Sequence, residues 1–180
     1  MKVTSYAFLL PLVFLVVSCS ADVDPETVIS QPPGTTNPTP SEPDPTNQVY
    51  TYDADETQIA ALVNSHRASL GLGTLELFDF ISSTCEDHNS YMIANVDMNH
   101  DGFAERAALL QDVLGATGIS ENVAFGYQSG QGAFDGWLNS PGHRAAIEGS
   151  ATHFGISVSS DADGRKYYTA IFVYIDSGPL

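Results

Sequence analysis

Apolar residues recur at helical spacing through the first half of the chain and at strand spacing in much of the second, so it reads as helices first and strands later. Asp55-x-x-Gln58 has the form of a capping box. Ile59, Leu62, Val63, His66 and Leu70 follow at helical spacing until Gly71 and Gly73 stop the run, which predicts a first helix. A second helical pattern runs from about Asp79 to Val96, with Ile81, Cys85, His88 and Met92 on one face; His88 is expected there as a core or boundary residue. After a loop containing His100, Ala104 to Leu114 predicts a short third helix. Glu121–Gly126, Thr152–Ser159 and Lys166–Asp176 are rich in β-branched and aromatic residues and read as strands, the last two forming a hairpin around Asp161-Ala162-Asp163-Gly164. Between the first strand and the hairpin, Gly132–Leu138 and Gly142–Ile147 read as helices broken by Ser140-Pro141-Gly142. This order predicts an α+β fold with helices packed on an antiparallel sheet.

The N-terminus has a different pattern. Lys2 precedes an apolar run from Ala7 to Val17, the length of a signal-peptide core and too short to span a bilayer. The run closes in Leu15-Val16-Val17-Ser18-Cys19, which resembles a bacterial lipobox, so residues 1–18 are expected to be removed and Cys19 lipidated. Acyl chains contributing about 0.8 kcal/mol per buried methylene would then hold the protein on a membrane without spanning it. Asp22, Asp24 and Glu26 just beyond the cysteine resemble an export signal of surface lipoproteins, so the expected location is the cell envelope, at the outer membrane or cell surface. Residues 19–52 carry seven prolines and no basic residue, the composition of an extended, disordered spacer. The globular domain is then expected over residues 53–176, followed by a short tail, 177–180.

Composition narrows the function classes. With 180 residues, 43% of them hydrophobic, the chain can bury one sizeable core. Its 22 acidic residues against 6 lysines and arginines give a formal net charge of −16, which repels phosphate backbones and excludes nucleic acid as a partner. Two cysteines cannot build a disulfide framework, and Cys85, on the apolar face of the second predicted helix, reads as a small buried hydrophobe. No His-Glu-x-x-His, Walker loop or Gly-x-Ser-x-Gly is present, so no local catalytic signature exists. Asp161-Ala162-Asp163-Gly164 matches a fragment of a calcium loop but lacks its closing glutamate and reads as a turn.

An ordered set of motifs carries the reading further: Asn64-x-x-Arg67, Asn99-His100-Asp101-Gly102-Phe103 with Arg106, Glu121-Asn122-Val123-Ala124, and Trp137-Leu138-Asn139-Ser140-Pro141-Gly142-His143-Arg144. With Phe154-Gly155-Ile156 and the strand Tyr167-Tyr168-Thr169-Ala170-Ile171-Phe172, the chain resembles the bacterial branch of the CAP superfamily, named for cysteine-rich secretory proteins, antigen 5 and plant pathogenesis-related proteins. The resemblance implies a three-layer α-β-α sandwich with a central antiparallel sheet.

It also implies a cavity. Many members line one with two histidines and two glutamates that can hold zinc; the first histidine falls on His100 and the first glutamate on Glu121. The other two positions depart, with Ser140 where the second glutamate would stand and Tyr167 where the second histidine would open the last strand. His143, six residues after Trp137, could turn back toward the same cavity. His100, Glu121 and His143 are then the candidate zinc ligands, an adequate donor set with a fourth position for water. The alternative is a polar strut in which histidine N–H groups satisfy a buried Glu121. Trp137 and Phe134 read as core residues; Arg67, Arg106 and Arg144 read as partners for acidic residues.

Two functions follow. One is a non-enzymatic binding module presenting the cavity to a lipid, envelope or protein ligand. The other is a metal-assisted hydrolase of peptide or envelope substrates, in which metal on His100 and His143 activates water and Glu121 is ligand or general base, with Glu121 and His143 as the candidate catalytic groups, or a weaker variant with Ser140 as nucleophile beside His143.

Overall fold

The structure, a computed structural model, describes residues 44–176 as α1 (Ala54–Ser69), β1 (Glu76–Leu77), α2 (Asp79–Asn95), α3 (Phe103–Leu114), β2 (Thr117–Phe125), α4 (Gly130–Asn139), α5 (Pro141–Glu148), β3 (His153–Ser160) and β4 (Lys166–Tyr174). The signal segment, Cys19, the spacer up to residue 43 and residues 177–180 lie outside the described residues. Among the described residues no helix is long and apolar enough to cross a membrane.

The strands lie in the order β1-β3-β4-β2, with β3–β4 and β4–β2 antiparallel. Strand β4 has helices on both faces, so it reads as a nearly continuous buried run. Tyr168, Ala170 and Phe172 join Phe154 and Ile156 against α1, α4 and α5, while Ile171 and Val173 pack with Phe80, Ile81, Cys85 and Leu110 of α2 and α3. That is the α-β-α sandwich. On β3, Gly155 is required: the backbone of Ile81 and Ser82 occupies the place of a Cβ, so α2 rests directly on the sheet.

Strand β1, absent from the sequence reading, is two residues long and pairs in parallel with β3, making an otherwise antiparallel sheet mixed. Where β1 stops, side chains continue the edge. Ser82 Oγ accepts the Ile156 N–H at 3.1 Å and Glu56 accepts the Val158 N–H at 2.8 Å. Tyr50, on the linker side of the expected domain boundary, donates its hydroxyl to Glu56 at 2.7 Å, and Tyr52 donates to Asp79 at 3.0 Å. Burial raises the pKa of Glu56 and of both phenols, Tyr52 to about 12.

Two local signals meet partners other than those the sequence suggests. The capping box of α1 is Asp53 with Glu56, each carboxylate accepting the other residue's N–H, and not Asp55 with Gln58. Asp55 and Gln58 instead accept the N–H groups of Gly130 (2.8 Å) and Gln131 (3.0 Å), capping α4; Asp55 also holds Lys166. Arg67, expected to meet an acid, is buried among carbonyls, those of Gly73 (2.7 Å), Ile147 (2.7 Å) and Gly149 (2.9 Å), so a cation closes the C-terminus of α5. One turn earlier, Asn64 pairs with both backbone groups of Leu75, so the Asn64-x-x-Arg67 motif ties down the loop after α1. The Asp161 turn is held by its own carboxylate, which accepts the N–H groups of Asp163 and Arg165 and the Arg165 guanidinium at 2.8 Å.

Candidate functional site

Because side chains alternate along β2, Glu121 and Val123 face α2 and α3, whereas Asn122 and Ala124 face α4 and α5. This parity divides the expected site residues.

On the first face Glu121 is almost wholly buried, its side chain 1% exposed. Arg106 of α3 grips it with two hydrogen bonds, Nε to Oε2 and Nη2 to Oε1, both 2.8 Å. His100, half-exposed in the loop before α3, places Nδ1 2.8 Å from Oε1. That loop is fixed at its start by Val96, a β-branched residue in the left-handed region at φ 53°. It is fixed at its end by the Arg106 Nη1 bond to the Asp101 carbonyl at 2.7 Å. His88, on the buried face of α2 as its spacing predicts, also reaches this group. Its Nε2 lies 3.9 Å from Glu121 Oε1 and donates to the Asn99 carbonyl at 2.9 Å. Burial lowers the His88 pKa, aided by Arg106. A polar residue on an otherwise apolar helix face was the sequence signal for this role.

On the second face Asn122 donates to the His143 carbonyl at 3.0 Å, anchoring the first turn of α5. His143 and Ser140 line a cleft of about 320 Å³ along the outer part of β2, walled by Met98, Phe125, Tyr127 and Trp137 over Val123 and Ala124. Trp137 donates Nε1–H to the Val123 carbonyl at 3.1 Å, so this core residue also forms one wall. Tyr127 stands where a Cβ on Gly136 would be. Burial lowers the His143 pKa, and neighbouring His100 adds to the effect. Tyr167 does not line the cleft: it is buried with Met92 and Val123, its ring 4.6 Å from that of Phe125.

These positions answer the chemistry expected of them. His100 and Glu121 meet, whereas His143 lines the cleft at the edge of β2, and among the described residues no group of three or more His, Cys, Asp or Glu side chains is placed to hold a metal. Both Glu121 oxygens already take the Arg106 fork, which a cation on the same atoms would have to displace. The donor set therefore does not fit zinc. Ser140 Oγ makes no hydrogen bond to His143 or to any other described residue, so the nucleophile–base contact is also missing.

The sequence profile described as the cysteine-rich secretory protein family matches residues 60–174. The chain belongs to this family. A curated relative within reach is the uncharacterized membrane protein YlbC of Bacillus subtilis (strain 168), 35% identical over 124 residues, 66% of this chain and 34% of that protein. The chain thus spans about a third of that relative's length. Among solved structures, an extracellular protein containing an SCP domain from Bacillus anthracis str. Ames is 29% identical, with a TM-score of 0.58 over 67% of this chain and 40% of that one. An outer surface protein from Borrelia burgdorferi shares the fold at 19% identity, with a TM-score of 0.62 over 71% of this chain and 98% of that one. In this family member the motifs that carry the resemblance have visible work: Asn64 and Arg67 hold a loop, Arg106 and His100 satisfy Glu121, Asn122 anchors the His143 backbone, and Trp137 forms a wall of the cleft.

Proposed function

We propose that this family member is a non-enzymatic binding module that works outside the cytoplasm, held on a membrane by acyl chains on Cys19, and that its cleft takes an apolar segment of a lipid, envelope or protein ligand. The observation that carries the reading is the state of Glu121: buried, forked by Arg106 and bonded to His100, it serves as a polar strut. The adjoining cleft offers aromatic and aliphatic walls with Ser140 and His143 as polar groups. Its volume of about 320 Å³ lies at the small end of the usual range for ligand pockets, about 300–1,000 Å³. The relatives named as membrane, extracellular and outer-surface proteins support the location.

The chain has a single tryptophan, and it forms a wall of the cleft. Trp137 emission should therefore change saturably on titration with decanoate or with an apolar hexapeptide, in the presence of a metal chelator, and Phe125→Ala should weaken the response. Silence toward both probes would refute the cleft; chelator-sensitive turnover of peptide substrates that disappears in Glu121→Gln would refute the non-enzymatic reading. For the anchor, Cys19→Ser should move the protein from the detergent fraction to the aqueous one, and unchanged partition would refute it.

A further inference from the structure

The four-stranded sheet has two outer edges, and they are finished differently. On β3 the main-chain groups that face away from β4 are those of Phe154, Ile156 and Val158. Phe78 donates to the Phe154 carbonyl, while Ser82 and Glu56 accept the Ile156 and Val158 N–H groups, so that edge is closed.

The edge of β2 is open. The Gly126 N–H bonds the Lys166 carbonyl, so by alternation Asn122 and Ala124 turn their main-chain groups toward β4, and Glu121, Val123 and Phe125 turn theirs outward. Of these outward N–H and C=O groups only the Val123 carbonyl has a partner among the described residues, the Trp137 indole N–H at 3.1 Å. The edge is also accessible. Glu121 is part-exposed although its side chain is only 1% exposed, so the surface it shows is main chain. Phe125 is exposed, and Val123, Ala124 and Phe125 all line the cleft of about 320 Å³.

Donors and acceptors that repeat about every 6.8 Å along an edge are matched by an extended polypeptide. A lipid tail would fill the cleft and leave them unmatched. A second copy cannot match them with its own β2, because that edge lies at the base of an identical cleft and two concave surfaces do not meet. A slender single strand can enter. The net charge of −16 favours a segment without acidic residues.

We propose that β2 accepts a fifth strand: an extended, non-acidic segment of a partner protein pairs with Val123 and Phe125 and places alternate apolar side chains in the cleft. The Val123 and Phe125 N–H groups donate to its carbonyls, and the Phe125 carbonyl accepts one of its N–H groups. This rests on the cleft reading given above and narrows its ligand to a polypeptide.

The test uses the full chain, decanoate, and a capped hexapeptide that alternates valine and threonine between terminal lysines. Two isomers of the peptide are N-methylated, one at the odd positions and one at the even positions. Successive N–H groups of a strand point to opposite sides, so one isomer loses every N–H directed at β2 and the other loses none of them. Followed by Trp137 emission, one isomer should bind like the parent peptide and the other about tenfold or more weakly. In amide exchange the parent should slow the Val123 and Phe125 N–H groups and leave that of Ala124, already bonded within the sheet, unchanged. Equal affinity of the two isomers, a silent parent peptide, or unchanged exchange at Val123 and Phe125 would overturn strand addition. Decanoate binding beside a silent peptide would leave the cleft reading standing, whereas silence toward both would remove the two readings together.

Discussion

Replacing Arg67 tests whether a buried cation without any carboxylate partner holds three chain segments together. Its guanidinium donates to Gly73 after α1, to Ile147 and Gly149 at the end of α5, and, at a long 3.5 Å, to Ala151 before β3. Hydrogen bonds involving a charged group contribute about 1.5–3 kcal/mol each, and the long fourth bond adds little. Lysine keeps the charge but has one nitrogen in place of the planar fork, so it can serve α5 or the Gly73 loop and not both. Arg67→Lys should therefore cost roughly 3 kcal/mol, and Arg67→Met, which leaves every carbonyl unmatched, roughly 4 kcal/mol. In a domain of this size a loss of 3 kcal/mol lowers Tm by roughly 6–12 °C. Urea unfolding followed by Trp137 emission measures it directly, with unchanged m-values confirming that the native state is the one affected. An Arg67→Lys protein within about 0.5 kcal/mol of wild type would refute the three-segment clamp. A methionine variant more stable than the lysine variant would show that the cost of burying charge outweighs carbonyl satisfaction.

The histidines predict an acid-side loss of stability. Burial lowers the pKa of both His88 and His143, so below the unfolded value, near 6.5, the unfolded chain binds more protons; stability is fully present above that pH and falls as pH drops through the lowered folded values. Urea midpoints measured between about pH 7 and pH 5 should show the decline, His88→Gln should flatten it, and an identical slope in that variant would reject His88 as a contributor. The strut predicts coupling: Glu121→Gln should cost about 3 kcal/mol by leaving the Arg106 charge without its carboxylate, and pairing it with Arg106→Gln should recover part of the loss in a double-mutant cycle. Additive costs in that cycle would show that the fork contributes nothing.

The sequence by itself determined the elements whose rules are local. The start of α2 at Asp79, the break between α4 and α5 at Ser140-Pro141, and the hairpin closed by Asp161 all follow from periodicity, fixed φ at proline and turn chemistry acting within a few residues. The family motifs located Glu121, His100, Ser140 and His143 along the chain. Only the tertiary structure decided what these groups meet. Two residues of β1 are too few to leave a periodic signal, and they exist because β3 pairs with them from far along the chain. Asp55-x-x-Gln58 has the form of a capping box, but the approach of Gly130 and Gln131 draws that pair to another helix, and Asp53 with Glu56 caps α1 instead. Arg67 met carbonyls where an acid was expected, since the end of α5 is brought over α1 by packing that no local pattern encodes. The strand parity of β2 puts Glu121 and Asn122 on opposite faces, so Glu121 is closed by Arg106 and His100 while Asn122 holds the His143 carbonyl and leaves the His143 side chain lining the cleft. Periodicity is a short-range steric property and can be read along the chain, whereas the partner of a polar atom is set by which distant segment the hydrophobic core carries beside it.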